Sequence, residues 1–397
     1  MAVAEIGRHS PLDVGVKVRV ILSVEPIRFP LTGIGRYTWE LASALMQSPQ
    51  VSELKFFAGR RFLPELPVAQ ENAGFQHGLK RWVQKSYIAT EAYRLLMPLL
   101  KRNALKGYDD YIYHGPNFFL PPFPGKKIAT FHDLSPFTWP QCNTPQRIRF
   151  TQKELQKTIS SADALITDSA YTRQEVADYF NWPIERIYSV PLACSADFHQ
   201  RTPEMCQEVL SQYGLKHQEY SLYVGTIEPR KNLIALLDAY SRMPLNCRRQ
   251  IPLILTGYQG WQNESIMHRI DSAEREGWAR YLGYLPAREL PILFSGARVF
   301  CFPSLYEGFG LPVLEAMASG VPVVCSDSSS LPEVVGDVGL MCKANDIEQM
   351  TTLLIQAIED DTWRQTSIIR GMQRAGEFSW QQCAKKTIEV YKEVINR

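Results

Sequence analysis

The sequence lacks the patterns that define several large classes of protein. Among 397 residues, the eight cysteines include no pair with the short spacing of a zinc site, so they read as reduced and mostly buried thiols. No segment is apolar over the roughly 18 residues that a membrane span requires. Residues 1–18 contain no apolar core of the kind found in secretory signals, which predicts a cytoplasmic protein. Any membrane contact would therefore be peripheral.

The chain also lacks an excess of charge of either sign. Its 43 basic and 41 acidic side chains give a formal net charge of +2, so no global field attracts nucleic acid. Hydrophobic residues make up 45% and charged residues 21%, a balance that excludes a disordered chain. The length predicts two or three domains of roughly 150 residues each.

What the sequence does contain is an alternation of short apolar runs and amphipathic helical patterns, interrupted once near residue 198. This alternation predicts an α/β protein with two Rossmann-like parallel-sheet domains, residues 1–198 and 199–374. Ligands of such sheets bind beyond the carboxyl ends of the strands, so the loops at those ends should carry function around a shared cleft. The predicted strands are Val18–Val24, Tyr111–His114, Lys127–Phe131, Ala164–Thr167, Ile187–Val190, Ser221–Val224, Pro252–Thr256, Val299–Phe302 and Pro322–Cys325.

The most informative motif is EGFGLPVLE, from Glu307 to Glu315. Pro312 suits the first turn of a helix and Gly320 the position after its end, so a helix should begin near Leu311 with free N–H groups directed at the cleft. Such a helix end attracts phosphate. The two glutamates can accept hydrogen bonds from hydroxyl groups. For Glu315 alone, the alternative is a structural role in which its negative charge complements the positive end of the helix dipole.

A second motif, EPRKN, follows the predicted strand Ser221–Val224 and places Arg230 and Lys231 at the start of the next helix. Cations there oppose the helix dipole, which favours a clamp for an incoming diphosphate over a solvated surface pair, the alternative reading. Negative charge that grows on a departing phosphate would be stabilised by both side chains. No carboxylate cluster suited to Mg²⁺ stands out, so we expect a metal-independent reaction without a cofactor.

The first half offers two weaker motifs. Gly33 and Gly35 lie in a loop after the first strand, where they allow close approach of a ligand or simply form a turn. His132 and Asp133 end a predicted strand and could orient sugar hydroxyls, with Asp133 orienting the histidine; a structural histidine is the alternative.

The segment Gly78–Gly107 is basic and rich in aromatic and aliphatic residues. It carries seven lysines and arginines against one acid, Glu91. A stretch of this kind can lie on an anionic membrane surface, or can pack as a helix on its own domain with a solvated basic face.

With these motifs in place, the chain resembles the retaining nucleotide-sugar glycosyltransferases of the large bacterial family 4, also called group 1, which have the two-domain GT-B fold. The resemblance implies that Glu315 holds the donor ribose and that Glu307 lies by the transferred sugar. It also implies that a last helix, within 375–397, crosses back to the first domain. The remaining implied contacts are the backbone of Phe309, Gly310 and Leu311 with the sugar or diphosphate, Arg230 and Lys231 with the diphosphate, His132 with the sugar, and Gly33 and Gly35 facing the reaction centre.

The resemblance extends to the reaction, with one departure. Many relatives carry arginine where this chain has Thr226, so the clamp should rely on Arg230 and Lys231, of which Arg230 is the less firmly assigned. With no compelling carboxylate nucleophile in the first half, front-face substitution is expected. The motifs are most similar to members that transfer mannose or its 6-deoxy relative rhamnose from a GDP-sugar to a polyprenyl-diphosphate-linked saccharide in O-antigen-type synthesis, at the inner face of the cytoplasmic membrane. A UDP-sugar donor, a nucleotide-sugar isomerase and a non-catalytic binding module stay open as alternatives, and residues 1–16 receive no function.

Overall fold

A computed structural model of the chain describes residues 17–31, 33–68, 87–142 and 144–397, with the backbone alone for 87–95. The leading segment 1–16 and the basic residues Lys80, Arg81 and Lys85 lie outside the described residues. Two separate sheets, of seven and six strands, are flanked by helices. The predicted α/β architecture with two Rossmann-like parallel-sheet halves is confirmed.

The first sheet has the strand order β3-β2-β1-β4-β5-β6-β7 and is parallel except for the β2–β3 pair. Its central strand β1 is buried along almost its whole length, because a run of β-branched and aliphatic residues suits a strand covered on both faces. The strands are β1 (Val18–Ser23), β2 (Val51–Ala58), β3 (Arg61–Leu63), β4 (Ile112–Gly115), β5 (Lys126–Phe131), β6 (Ala164–Thr167) and β7 (Ile187–Ser189). The helices are α1 (Ile34–Met46), α2 (Tyr87–Ala104), α3 (Ser135–Thr138), α4 (Pro145–Ser161) and α5 (Ala170–Phe180), with short 3₁₀ turns at Pro140–Cys142 and Ile184–Arg186.

The second sheet is parallel throughout, in the order β10-β9-β8-β11-β12-β13. Its strands are β8 (Ser221–Val224), β9 (Leu253–Thr256), β10 (Ala279–Tyr281), β11 (Val299–Phe302), β12 (Val323–Ser326) and β13 (Leu340–Cys342). Its helices are α6 (Pro203–Gln212), α7 (Leu233–Arg242), α8 (Leu245–Gln250), α9 (Glu264–Arg275), α10 (Leu290–Gly296), α11 (Leu311–Ala318), α12 (Leu331–Val335), α13 (Ile347–Glu359) and α14 (Asp361–Gly376), with a 3₁₀ turn at Pro229–Lys231.

The last helix, α15 (Trp380–Ile395), packs against α1, β1 and β6 of the first sheet. Its Tyr391 hydroxyl lies 2.6 Å from Nδ1 of the buried His114, whose Nε2 lies 2.8 Å from the Thr130 hydroxyl. Burial lowers the pKa of His114 to about 3, which favours the neutral imidazole. Its hydrogen bonds and an edge-on contact with the Tyr391 ring link α15 to β4 and β5.

Several elements were not predicted. The strand β2 was missed because Ser52, Glu53 and Lys55 interrupt its apolar pattern, and β3 and β13 have only three residues each. The helix α6, which begins at Pro203 directly after the predicted domain boundary near residue 198, was also not predicted. Within the part of the chain that the structure describes, no helix is both long and apolar enough to cross a membrane.

Candidate active site

The EPRKN motif forms a tight 3₁₀ turn at the carboxyl end of β8. Arg230 and Lys231 lie in this turn, directly before the start of α7 at Leu233, where the sequence predicted them. Asn232 adopts a left-handed conformation, with φ of 55°, and its amide donates to the carbonyls of Pro303 and Ala344. The turn is thus fixed to the loops that follow β11 and β13.

Both cations of this turn meet Glu307, which follows β11 in the loop of the EGFGLPVLE motif. Lys231 Nζ lies 2.5 Å from Glu307 Oε1, and an Arg230 guanidinium nitrogen lies 3.5 Å from Oε2. Arg230 also binds the Glu228 carboxylate at 2.9 Å and the Tyr306 carbonyl at 2.8 Å. The structure therefore brings together three of the predicted site residues in one buried ionic cluster.

The electrostatics of the cluster follow from burial and pairing. Burial lowers the pKa of Lys231, and neighbouring Arg230 adds to the effect while Glu307 opposes it. Burial alone would raise the pKa of Glu307, but the two cations outweigh it and keep the pKa below the ordinary value. The pKa of Arg230 rises despite burial, because Glu307 and Glu228 stabilise its charge. The carboxylates hold both cations in place at the mouth of the second sheet.

The loop around Glu307 is held by the serines of a neighbouring turn. The Glu307 N–H donates to Ser329 Oγ at 2.8 Å, and Ser330 Oγ donates to the carbonyls of Glu307 and Phe309, both at 2.9 Å. These bonds fix the backbone of the motif before α11 begins. Preorganised groups of this kind cost no reorganisation when a ligand arrives.

The predicted helix after this loop is present as α11, and it begins at Leu311. Gly310 precedes it with φ of 107°, a conformation that favours glycine, and a Cβ there would meet Leu331 at 2.7 Å. The N–H groups of Val313 and Leu314 donate to the Gly310 carbonyl at 3.0 and 3.4 Å, and Pro312 has no N–H, so the N–H of Leu311 is the one that remains at the end of the helix. The backbone of Phe309, Gly310 and Leu311 thus stands at the helix end where the sequence predicted a diphosphate or sugar contact.

Glu315 lies one turn into α11 and is half-buried. Burial raises its pKa to about 8, and Arg36 of α1 only partly opposes this shift. A raised pKa favours the neutral carboxylic acid, which can donate one hydrogen bond and accept others. That chemistry suits a ribose hydroxyl, the contact that the resemblance implies.

His132 ends β5 as predicted, but its partner is Asp168 and not Asp133. Its Nδ1 lies 2.8 Å from the Asp168 carboxylate and its Nε2 lies 2.8 Å from the Pro116 carbonyl. Asp133 instead accepts hydrogen bonds from the backbone and hydroxyl of Ser135. Although burial lowers the pKa of His132, Asp168 more than compensates, so the pKa is raised. Two acceptors at the two ring nitrogens favour the doubly protonated imidazolium.

Asp168 is a site residue that the sequence reasoning missed, although a signal was available. Phe131 pairs with Thr167 in the parallel register of β5 and β6, so the next residues, His132 and Asp168, follow neighbouring strands side by side. Polar residues that directly follow adjacent parallel strands meet at the same edge of the sheet.

The two predicted glycines of the first domain have different surroundings. Gly33 precedes α1 with φ of 46°, and a Cβ there would meet open space. A Cβ on Gly35 would lie 2.9 Å from the Pro26 carbonyl, so packing against the loop after β1 explains this glycine. Whether either backbone faces the reaction centre stays a prediction.

The two domains contact each other directly around the Glu307 loop. The Tyr306 hydroxyl accepts a hydrogen bond from the Leu134 N–H at 2.7 Å and donates to Glu175 at 2.5 Å. A Cβ on Gly308 would lie 1.7 Å from the His132 carbonyl, so only glycine allows this approach. The predicted shared cleft is thus closed over the strand ends, and the loop of the EGFGLPVLE motif lies against the end of β5.

A second interdomain contact caps a helix. The Glu333 carboxylate accepts hydrogen bonds from the first backbone N–H groups of α5, those of Ala170 at 2.8 Å and Tyr171 at 2.6 Å. The Ser169 hydroxyl donates to the Gly308 carbonyl at 2.7 Å. Negative charge at a helix N-terminus is stabilising, so this contact favours the closed arrangement.

Known structures share this fold. The chain superposes on sucrose-phosphate synthase of Thermosynechococcus elongatus with a TM-score of 0.67 and 20% identity, across 96% of this chain and 100% of that one. It superposes on WaaG, a glycosyltransferase involved in lipopolysaccharide biosynthesis, with a TM-score of 0.68 and 14% identity, across 94% and 99% of the two chains. The fold is the GT-B fold of glycosyltransferases.

Sequence relatives narrow this class to a family. Residues 208–374 match the family described as glycosyl transferases group 1. Over 379 residues the chain is 45% identical to O-antigen chain mannosyltransferase B of Escherichia coli, covering 94% of this chain and 100% of that protein. Over 280 residues it is 30% identical to the serotype-specific mannosyltransferase WbdA of Escherichia coli, covering 68% of this chain and 34% of that longer protein. The chain belongs to the group 1 glycosyltransferases.

Proposed function

We propose that this glycosyltransferase moves mannose, or a 6-deoxy relative such as rhamnose, from a GDP-sugar to a lipid-linked saccharide during O-antigen synthesis, with retention of configuration. The similarity to an O-antigen chain mannosyltransferase over the whole length of that relative supports the sugar and the pathway. The GDP donor, the polyprenyl-diphosphate carrier and the retention rest on the resemblance of the sequence motifs.

The observation that carries this function is the buried cluster of Arg230, Lys231 and Glu307 at the mouth of the second sheet. Two cations side by side match the charge of a nucleoside diphosphate. When the donor binds, its phosphate oxygens take over part of the pairing that Glu307 and Glu228 provide in the free protein. The resemblance implies that Glu315 on α11 holds the donor ribose, and its raised pKa favours a form that donates a hydrogen bond to a ribose hydroxyl.

In the proposed reaction the bond between the anomeric carbon and the diphosphate oxygen breaks, and the electron pair leaves with the phosphate. The acceptor hydroxyl attacks from the same face, and its proton passes to the departing phosphate oxygen. Arg230 and Lys231 stabilise the negative charge that grows there, which is worth most in the transition state. The closed contacts of Tyr306 and Gly308 with the first domain exclude water from the sugar.

His132 receives a narrower role than the sequence suggested. Because both of its ring nitrogens are engaged, it can reach the sugar only by giving up the bond to the Pro116 carbonyl. The bond from its ring to Asp168 fixes the orientation of the imidazole at the edge of the first sheet.

A donor panel tests the function. The purified protein is incubated with GDP-mannose, GDP-rhamnose, UDP-glucose or UDP-N-acetylglucosamine, each with a synthetic lipid-diphosphate saccharide as the acceptor. The products are identified by mass spectrometry. We expect transfer from a GDP-sugar and, by NMR of the product, an α-linkage. Transfer only from a UDP-sugar would contradict the proposal of a GDP-sugar donor. Consumption of donor without an acceptor would indicate an isomerase or a hydrolase.

We also propose that the reaction needs no metal, since Arg230 and Lys231 supply the positive charge. Among the described residues, no group of three or more histidine, cysteine, aspartate or glutamate side chains could hold a metal ion. Initial rates in EDTA should equal those with added Mg²⁺ or Mn²⁺. A rate that depends on either ion would contradict this part of the proposal.

Contact with an anionic membrane is proposed for the helix α2. Its described end exposes Leu96, Leu99 and Leu100 beside the exposed Arg102, while Lys101 is paired with Glu25 at 2.8 Å. Apolar side chains next to a cation can insert at a lipid surface.

The membrane contact is tested by flotation with vesicles that contain or lack phosphatidylglycerol. The double substitution Leu99→Ser and Leu100→Ser should reduce binding to the anionic vesicles. Ile369→Ser, which alters an exposed aliphatic side chain on α14, is the control and should bind as the unchanged protein does. Equal binding of all three proteins would contradict the proposal.

A further inference from the structure

A groove between the two domains is not used by the donor site described above. It has a volume of about 590 Å³. One wall comes from the 3₁₀ turn and helix α4 of the first domain, and the other from the loop that follows β9 in the second domain. The lining residues that matter here are Pro140, Gln141, Ile148, Arg149, Trp261 and Gln262.

The side chains of this groove match the chemistry of a neutral saccharide. Trp261 leaves 52% of its surface exposed, so its ring is available to a ligand in the groove. The C–H groups on the face of a pyranose carry small positive charges, which meet the negative face of an indole ring. Gln141, Gln262 and Arg149 supply planar donors, and the two amides also accept hydrogen bonds from hydroxyl groups.

The groove is also attached to the candidate diphosphate turn from both sides. On the second-domain wall, the Gly260 N–H donates to the Ile227 carbonyl at 2.9 Å. On the first-domain wall, Cys142 of the 3₁₀ turn interacts with the backbone of Arg230. A ligand in the groove would therefore lie next to the reaction centre while remaining outside the donor cluster.

The conformation of the loop supports a built surface. Gln262 has φ of 55°, a left-handed conformation that a residue with a side chain rarely adopts. Such backbone strain persists where the surrounding structure imposes it, and it concentrates at ligand sites. Here it fixes the residue directly after the exposed indole.

We propose that this groove binds the saccharide chain of the acceptor, one or more sugar units away from the hydroxyl that receives the new sugar. This inference rests on the proposed function and deepens it, because it makes an already polymerised saccharide the preferred acceptor. The lining contains one cation and no acid, so a neutral sugar polymer fits it better than an anionic one.

The first experiment measures initial rates with lipid-linked acceptors that carry one, three or five mannose units. We expect Trp261→Ala to raise KM for the longest acceptor about ten-fold, the effect of losing one well-packed aromatic anchor. KM for the shortest acceptor and for the donor should not change. Trp261→Phe should recover most of the loss, since it restores an aromatic face. Tyr258→Ala, an exposed aromatic residue of the same loop outside this lining, is the matched control and should behave as the unchanged protein does.

A second experiment needs no turnover. Saturation-transfer NMR with free mannopentaose should show contacts in the unchanged protein that Trp261→Ala loses. A rise in donor KM would assign the indole to the nucleotide and overturn the proposal, as would equal KM values for all acceptors. If the unchanged protein transfers no sugar, the proposed function fails, and binding of mannopentaose still decides whether the groove holds saccharide.

Discussion

Replacing Lys231 by methionine tests the central assignment of the site. Methionine keeps most of the length and the apolar stem of the side chain but removes the charge that we place on the departing diphosphate. Loss of one preorganised donor to charge that develops in a transition state typically lowers turnover by about 10²–10³-fold. Arg230, which lies 3.5 Å from Glu307 in the same cluster, still supplies one cation to the diphosphate. We therefore expect turnover to fall by that factor without disappearing.

The same substitution also affects stability, since it leaves the Glu307 carboxylate with one cation in place of two. The side chains of Lys231 and Glu307 are each only 10% exposed. Removing one partner of a buried ion pair costs about 3–5 kcal/mol, and Arg230 should hold the cost to the lower end of that range. A protein of ordinary stability, roughly 5–15 kcal/mol, tolerates such a loss.

A double substitution separates the two effects. Lys231→Met combined with Glu307→Gln removes both charges, so the melting temperature should return toward that of the unchanged protein. Turnover should stay low, because the diphosphate still lacks its cation. The matched control is Lys157→Met, which removes an exposed lysine paired with Glu154 at 2.6 Å and should alter neither quantity. Turnover of the double variant within about ten-fold of the unchanged protein would refute the diphosphate assignment.

Three further predictions concern ionisation and domain contact. The pKa of Glu315 is raised to about 8 in the folded protein, so the unfolded chain loses this proton first and the free energy of unfolding falls as the pH rises from 4.5 toward 8. Glu315→Gln should therefore flatten that part of a profile of melting temperature against pH. An unchanged profile would contradict the shift. Asp168→Asn removes the charge that raises the pKa of His132, while the burial that lowers it remains. An NMR titration should then show the pKa of His132 below its ordinary value of 6.5. An unmoved pKa would exclude Asp168 as the cause of the shift. Tyr306→Phe removes the hydroxyl that binds Glu175 across the cleft, which should shift the protein toward a more open arrangement of its domains. Small-angle scattering should then report a larger radius of gyration. An unaltered radius would show that this bond does not hold the domains together.

The sequence predicted most of the elements that position the candidate site. Both sheets, the turn that carries Lys231 and the helix that begins at Leu311 follow from apolar runs, proline and glycine positions within a few residues. These features are local, and local patterns are what a single sequence records best. The register of β5 and β6 shows that even the missed Asp168 could have been found from strand ends.

The contacts across the cleft could not be predicted in the same way. Tyr306 meets Glu175, and Glu333 meets the first turn of α5, over separations of 131 and 163 residues. Such pairs depend on how two independently formed sheets are oriented, and no spacing within either half encodes that orientation. The short strands β3, β10 and β13 were missed for a different reason, since three residues are too few to show a period.

The return of the last helix to the first sheet gives the chain two covalent crossings between its halves. One runs from β7 to α6, and the other joins α14 to α15, whose Tyr391 is anchored at His114. Two bodies joined at two points have fewer relative motions open to them than two bodies joined at one, and a hinge rotation about the line through the two points leaves both crossings intact. One pair of fluorescent labels across the cleft would follow such a rotation.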